Sequence, residues 1–102
     1  MDDAQLLTAA ARRLEALADL APAGRWVRAG LLASRPEVVA RFPDGGSEHV
    51  AEARAATVGW ITAVSPAVAA PLAAWLRAAA ADPTPEAVAV ARALLDGVDP
   101  PA

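Results

Sequence analysis

The chain has 102 residues, a formal net charge of -3 and a hydrophobic fraction of 56%, more than half of which is alanine. This length suits one domain with one core, and we expect a single small domain over residues 1–97 followed by a loose tail, 98–102. The acidic balance argues against a general binder of nucleic acid or anionic membranes, and the absence of cysteine excludes disulfides and thiolate chemistry.

The first predicted element is a helix over about residues 3 to 20. Asp2 is placed to cap it, with Gln5 three residues on, as in a capping box. Leu7, Leu14 and Leu17 recur at helical spacing, and Pro22 with Gly24 ends the helix.

The segment from Arg25 to Phe42 predicts a two-stranded antiparallel hairpin. Two short apolar runs, RWVRAGLLA and EVVARF, are bounded by turn residues, and Val38 and Val39 favour strand. A pair of short helices is the alternative, because Ser34 followed by Pro36 could cap a helical turn.

A firm turn is predicted at residues 43–46, Pro-Asp-Gly-Gly. Ser47 is then interpreted as the cap of a helix that runs to about Val64 and places Val50, Ala53, Thr57 and Val64 along one stripe.

Two further helices follow, each with a hydroxyl residue as cap and proline in the first turn. Ser65 and Pro66 begin the first, in which Pro71 predicts a kink or a delayed start. Thr84 and Pro85 begin the second, which Gly97 is expected to stop. The predicted fold is therefore α+β, about four helices with the hairpin, and an all-α helical bundle is the alternative.

The polar residues give no catalytic or metal-binding constellation. His49 is the only histidine, and with Glu48 and Glu52 beside it we interpret it as part of a solvated first helical turn. The serines occupy capping or turn positions, and none lies in a nucleophile motif. We therefore expect no enzymatic activity, no cofactor and no bound metal.

A local excess of basic residues marks the hairpin as the best candidate surface. Residues 25–42 contain four arginines against one acid, Glu37. Arginine interleaved with aromatic residues can bind a nucleic-acid backbone or another anionic ligand, and the alternative is a solvated hairpin whose charges discourage edge pairing. The residues of this candidate surface are Arg25, Trp26, Arg28, Arg35 and Arg41.

Trp60 and Trp75 belong to the two central helices, each on or beside an apolar stripe. Tryptophans at such positions pack in a core or in an interface with a partner, and a ligand pocket is the least favoured alternative. Because buried alanine contributes little per residue, the core is thin, and a helix-mediated homodimer would supplement it.

The order of motifs resembles that of small proteins of unknown function encoded by actinobacteria and their phages and prophages. The resemblance implies a turn that leads into a short β segment, an alanine-rich stretch and two closing helices, and it brings no activity or catalytic residues. Here Pro-Ala-Gly-Arg-Trp replaces the typical Pro-Gly-Pro-Trp turn. The motifs in this chain are residues 22–26, 55–61, 65–68, 72–77 and 89–95.

The sequence thus predicts a non-catalytic protein-interaction module that binds a protein partner or itself, and the resemblance implies an accessory protein of phage or prophage type. Binding of an anionic ligand or nucleic acid through the arginine-rich segment is the alternative. The acidic N-terminus does not resemble a signal peptide, and Pro66 and Pro71 interrupt the uncharged run from Ala55 to Leu76, so we expect no membrane association and a cytoplasmic location.

Overall fold

The computed structural model describes residues 1–30 and 35–98, which form four helices and one three-stranded antiparallel sheet. The predicted α+β class is confirmed, and the predicted two-stranded hairpin is extended by a third strand. In chain order the elements are α1 (Asp3–Leu20), β1 (Arg25–Ala29), β2 (Glu37–Arg41), β3 (Ser47–Glu52), α2 (Ala55–Ala63), α3 (Pro66–Ala79) and α4 (Pro85–Val98).

These elements form two compact units. One combines residues 1–17 with the described residues from 69 onward, and the other is Ala18–Val68. The first, here called the helical unit, has a core made largely of alanine, so its helices pack through short side chains. The residues of its main core cluster have no solvent exposure and are Leu7, Ala10, Ala11, Ala73, Leu76, Ala87 and Ala91.

Local hydrogen bonds fix where two of the helices begin. The Gln5 amide nitrogen donates to Asp2 Oδ1 at 2.7 Å, and the Asp2 amide nitrogen donates to Gln5 Oε1 at 2.9 Å, which is the predicted capping box. The Ala87 amide nitrogen donates to Thr84 Oγ1 at 3.2 Å, so Thr84 caps α4 as predicted.

The predictions made for the prolines and for Gly97 are confirmed only in part. Pro66 and Pro85 are the first residues of α3 and α4, as predicted. Pro71 lies inside α3 without delaying its start, and α4 continues one residue beyond Gly97. The predicted roles of Ser34 and of the tail after Val98 lie outside the described residues.

The second unit, here called the sheet unit, has the strand order β1-β2-β3. Arg25 pairs with Arg41 and Ala29 with Glu37, so β1 and β2 form the predicted hairpin. Between β2 and β3 the pairing shifts by one residue at Val38 and Val39, which leaves Val50 as the extra residue of a β-bulge.

The prediction of a helix from Ser47 to Val64 is wrong over its first half. Ser47–Glu52 is strand β3, and α2 begins only at Ala55 after Arg54, which caps it without a side-chain hydrogen bond. The turn explains the difference: the Phe42 amide donates to the Gly46 carbonyl at 2.9 Å, and Gly45 has a φ of +89°, so the chain reverses and pairs with β2. Pro-Asp-Gly is a hairpin signal as well as a loop signal.

Helix α2 packs against β1 and β2. Val38, Ala40 and Val58 have no solvent exposure, and they supply the buried apolar residues of the sheet unit. Because side chains alternate along a strand, burial of Val38 and Ala40 leaves the face that carries Val39 as the more exposed one.

Candidate binding surfaces

Cross-strand register divides the sheet into a buried and an open face, because directly opposed residues of antiparallel strands point to the same side. The buried face carries Val38 and Ala40 together with their partners on β1 and β3. No residue of the open face is buried. The open face consists of Arg25, Val27, Ala29, Glu37, Val39, Arg41, Ser47, His49 and Glu52.

Three rows cross the open face. The first row is Arg25, Arg41 and Ser47, all exposed, and we call it the basic row. A middle row consists of Val27, Val39 and His49, and a last row of Ala29, Glu37 and Glu52. The face therefore has two guanidinium groups at one end and two carboxylates at the other.

Gly24 brings β1 close to β2 at the end that carries the basic row. Its φ is +94°, and a Cβ atom at this position would lie 2.6 Å from the Arg41 carbonyl oxygen and 2.9 Å from the Phe42 ring. Only glycine accommodates both the backbone conformation and this approach. The residue thus helps to set the position of Arg25 opposite Arg41.

The other residues of the predicted arginine-rich surface lie elsewhere. Arg28 is paired with Val38, and therefore belongs to the buried face, although its side chain is exposed. Arg35 lies outside the strands with its Nη1 atom 3.8 Å from Glu52 Oε2. Trp26 is half-buried, and its Nε1 atom donates to the Pro22 carbonyl oxygen at 2.9 Å. The structure thus places only Arg25 and Arg41 of the four arginines side by side.

His49 lies on β3 rather than in the first turn of a helix, so that interpretation is wrong. Its Nδ1 atom is 2.6 Å from Glu37 Oε2 across the open face. Within the described residues, no group of three or more histidine, aspartate or glutamate side chains is arranged to hold a metal ion. The histidine therefore pairs with one acid at the acidic end of the sheet.

The tryptophans of α2 and α3 are both exposed rather than buried in a core. Trp60 exposes 71% of its surface, Val64 exposes 59% and Trp75 exposes 44%. Val64 directly follows the last residue of α2, and its amide donates to the Trp60 carbonyl oxygen at 3.2 Å, so it lies one turn beyond Trp60. The small exposed residues Ala56 and Ala63 lie on the same side of the helix. We call these four residues the α2 stripe.

A charge pair that the sequence analysis missed joins α1 to α3 within the helical unit. Arg77 donates from Nη1 to Glu15 Oε2 and from Nη2 to Glu15 Oε1, both at 2.6 Å. These hydrogen bonds are the main cause that lowers the pKa of Glu15 and raises that of Arg77; partial loss of hydration opposes both shifts, and charge attraction reinforces them. The Glu15–Arg77 pair has a structural role, since it joins two helices, and both side chains are 42% exposed.

Among the described residues, no single helix is both long and apolar enough to cross a membrane, and the broken pair of α2 and α3 meets the length and composition requirements only when taken together.

Comparison with known proteins gave no relative: no protein-family model, no curated protein and no solved structure matches this chain.

Proposed function

We propose that this protein is a non-catalytic protein-interaction module that associates with a second copy of itself through the α2 stripe. The observation that carries the proposal is the exposure of Trp60, at 71%, next to Val64, at 59%. A tryptophan side chain that is removed from water buries a large apolar surface, which favours association. Tryptophan is also enriched among the residues that contribute most of the binding energy at interfaces.

The chemistry of α2 favours an apolar partner surface of the same kind. Residues 55–63, AATVGWITA, contain no charged side chain, so two such helices can approach without charge repulsion. Ala56 and Ala63 lie on either side of Trp60 along the stripe, and their small side chains leave room for the indole of a second copy. A two-fold axis across the stripe would make the contact identical on both copies.

The size of the stripe sets the expected strength. A helix of nine residues is roughly 14 Å long, which limits the area that two copies can bury. Such a contact lies at the low end of specific interfaces, so we expect a reversible homodimer that dissociates on dilution.

A non-catalytic role is supported by the sequence, which has one histidine and no cysteine. The order of motifs supports an accessory protein of actinobacterial phage or prophage type that acts in the cytoplasm. Neighbouring genes in the source genome would test that origin, and a location outside phage or prophage gene clusters would contradict it.

Sedimentation velocity over a wide concentration range tests self-association. We expect the wild-type sedimentation coefficient to rise with concentration, and Trp60→Gln or Val64→Gln to remain monomeric where the wild type is dimeric. Trp75→Gln is the matched control, since it removes an exposed tryptophan from a different helix and should leave association unchanged. A wild-type chain that stays monomeric throughout, or a Trp60→Gln chain that associates equally well, would refute the proposal.

A further inference from the structure

The basic row has an unfavourable arrangement of charge in the chain alone. Arg25 and Arg41 are directly opposed on neighbouring strands and point to the same face, where Cβ atoms are about 5 Å apart. Like charges at that spacing repel each other and destabilise the sheet. A pair of this kind is relieved when an anion lies between the two guanidinium groups.

The acidic side chains of β2, of β3 and of the turn between them make other contacts or lie on the other face. Glu37 is held by His49 at 2.6 Å, and Glu52 lies 3.8 Å from Arg35. Asp44 accepts a hydrogen bond from the Gly46 amide at 2.8 Å, and Glu48 pairs with Ala40 on the buried face. Among the described residues, no ion pair joins a carboxylate to either arginine of the basic row.

This distribution of charge also argues against a second copy of the chain as the occupant of the open face. Two copies related by a two-fold axis along the middle row would place the basic row of one over the last row of the other. In each copy Glu37 already has His49 as its partner and Glu52 lies 3.8 Å from Arg35, so pairing with the basic row of a second copy would have to replace these contacts. Among the described residues of this face, Arg25 and Arg41 are the charged groups for which no ion-pair partner is present.

Ser47 extends the donors of the basic row. It is paired with Arg41 on β3, and its side chain is exposed on the same face. Two guanidinium groups supply two planar sets of N–H donors, and the hydroxyl adds another donor. The neighbouring Val27 and Val39 are half-buried and give an apolar surface beside these donors.

We propose that Arg25, Arg41 and Ser47 bind a phosphate dianion, either free or as a phosphomonoester. Two positive charges match a group that carries close to two negative charges, and a tetrahedral phosphate presents oxygens to donors from several directions. A carboxylate carries half that charge and has only two oxygens. This site is separate from the α2 stripe and does not depend on self-association.

Backbone amide chemical shifts of the 15N-labelled full chain, titrated with inorganic phosphate or phenyl phosphate, provide the test. The titration is run at constant ionic strength and about pH 8, where phosphomonoesters are dianionic. We expect shifts concentrated at the ends of β1 and β2 and the start of β3, with acetate at least tenfold weaker. Tighter binding of phenyl phosphate would identify an ester as the ligand, and equal binding would identify free phosphate; either result supports the site.

Single substitutions distinguish a specific phosphate-binding site from nonspecific electrostatic attraction. Arg25→Ala and Arg41→Ala should each weaken phosphate binding by about tenfold or more, the effect of removing a charge-assisted donor pair. Arg41→Lys keeps the positive charge but loses the planar set of N–H donors of the guanidinium group, so it should retain only part of the affinity for phosphate. Arg28→Ala is the matched control, because Arg28 lies on the same strand and on the opposite face, and Trp60→Gln should bind phosphate as the wild type does.

Three results would overturn the proposal: no localised shifts with phosphate, acetate binding as tight as phosphate binding, or a loss of affinity in Arg28→Ala equal to that in Arg41→Ala. Thermal denaturation with and without phosphate gives a second readout of the same binding. Because Arg41→Ala removes the like-charge contact, added phosphate should raise the melting temperature of the wild type more than that of the variant. An equal rise in both would also count against the site.

Discussion

At the scale of single residues, the glycines differ in what a side chain would meet. Gly24 combines a φ of +94° with a Cβ position 2.6 Å from the Arg41 carbonyl oxygen. Gly45 has a similar φ of +89° but nothing within 4 Å, and Gly59 lies in α2 with open space around it. The three positions therefore separate steric overlap, backbone strain and helix propensity.

Alanine at each of these glycines gives a graded prediction for the free energy of unfolding. Gly45→Ala should lower it by about 1–2 kcal/mol, the cost of a left-handed conformation for a residue with Cβ. Gly24→Ala should lower it further, since overlap with β2 is added to strain, whereas Gly59→Ala should raise it by about 0.5–1 kcal/mol. Urea denaturation of the three variants measures the order, and an equal loss for Gly24→Ala and Gly45→Ala would show that the approach to Arg41 is unimportant.

At the scale of elements, the Glu15–Arg77 pair connects α1 to α3 by two parallel hydrogen bonds. Hydrogen bonds from Arg77 hold the folded-state pKa of Glu15 below its ordinary value. The ionised carboxylate therefore stabilises the fold at pH values above the ordinary pKa. That stabilisation is lost as the pH falls through the lowered, folded-state pKa.

Replacement of Glu15 by glutamine should make the melting temperature depend less on pH in the acidic range. We expect Glu15→Gln to melt below the wild type at neutral pH, with the difference shrinking toward the pH at which Glu15 protonates in the folded chain. Asp19→Asn is the control, because it neutralises another acid of α1 outside this pair. Thermal melts from neutral to acidic pH measure the effect, and a difference that stays constant with pH would rule out Glu15 ionisation as its source.

The sequence predicted correctly those elements whose stabilising contacts lie close together along the chain. The starts of α1 and α4 were predicted because Asp2 with Gln5, and Thr84 with Ala87, bond within three residues. Strand β3 was missed because Ser-Glu-His-Val-Ala-Glu has little intrinsic strand preference and is held by pairing with β2.

The candidate surfaces follow the same rule. The arginine excess of residues 25–42 was visible in the sequence, yet only the register showed that Arg25 opposes Arg41 while Arg28 belongs to the other face. The Glu15–Arg77 pair spans 62 positions and left no signal in the sequence. Exposure of Trp60 was likewise undetermined by its helical spacing, which fits a core or an interface equally well.

At the scale of the whole molecule, the sequence prediction of one domain over residues 1–97 can be tested by unfolding. A chain that retains only Trp75 reports on the helical unit, and a chain that retains only Trp26 reports on the sheet unit. A single cooperative domain predicts that both fluorescence transitions coincide with the loss of helical circular dichroism. Phenylalanine replaces the other tryptophans in each case, and two transitions separated in temperature would show that the units unfold independently.

The helical unit is built from both ends of the chain, whereas the sheet unit is one continuous stretch, Ala18–Val68. During synthesis the whole sheet unit is translated before the second part of the helical unit, which starts at Ala69. Helix α1 is translated before β1, but its partners Ala73 and Leu76 follow only after more than fifty further residues, a wait of several seconds at ~5–20 residues per second. A lone helix of 18 residues is marginal in water, so for that interval the apolar side of α1 lacks the contacts that stabilise it in the folded chain.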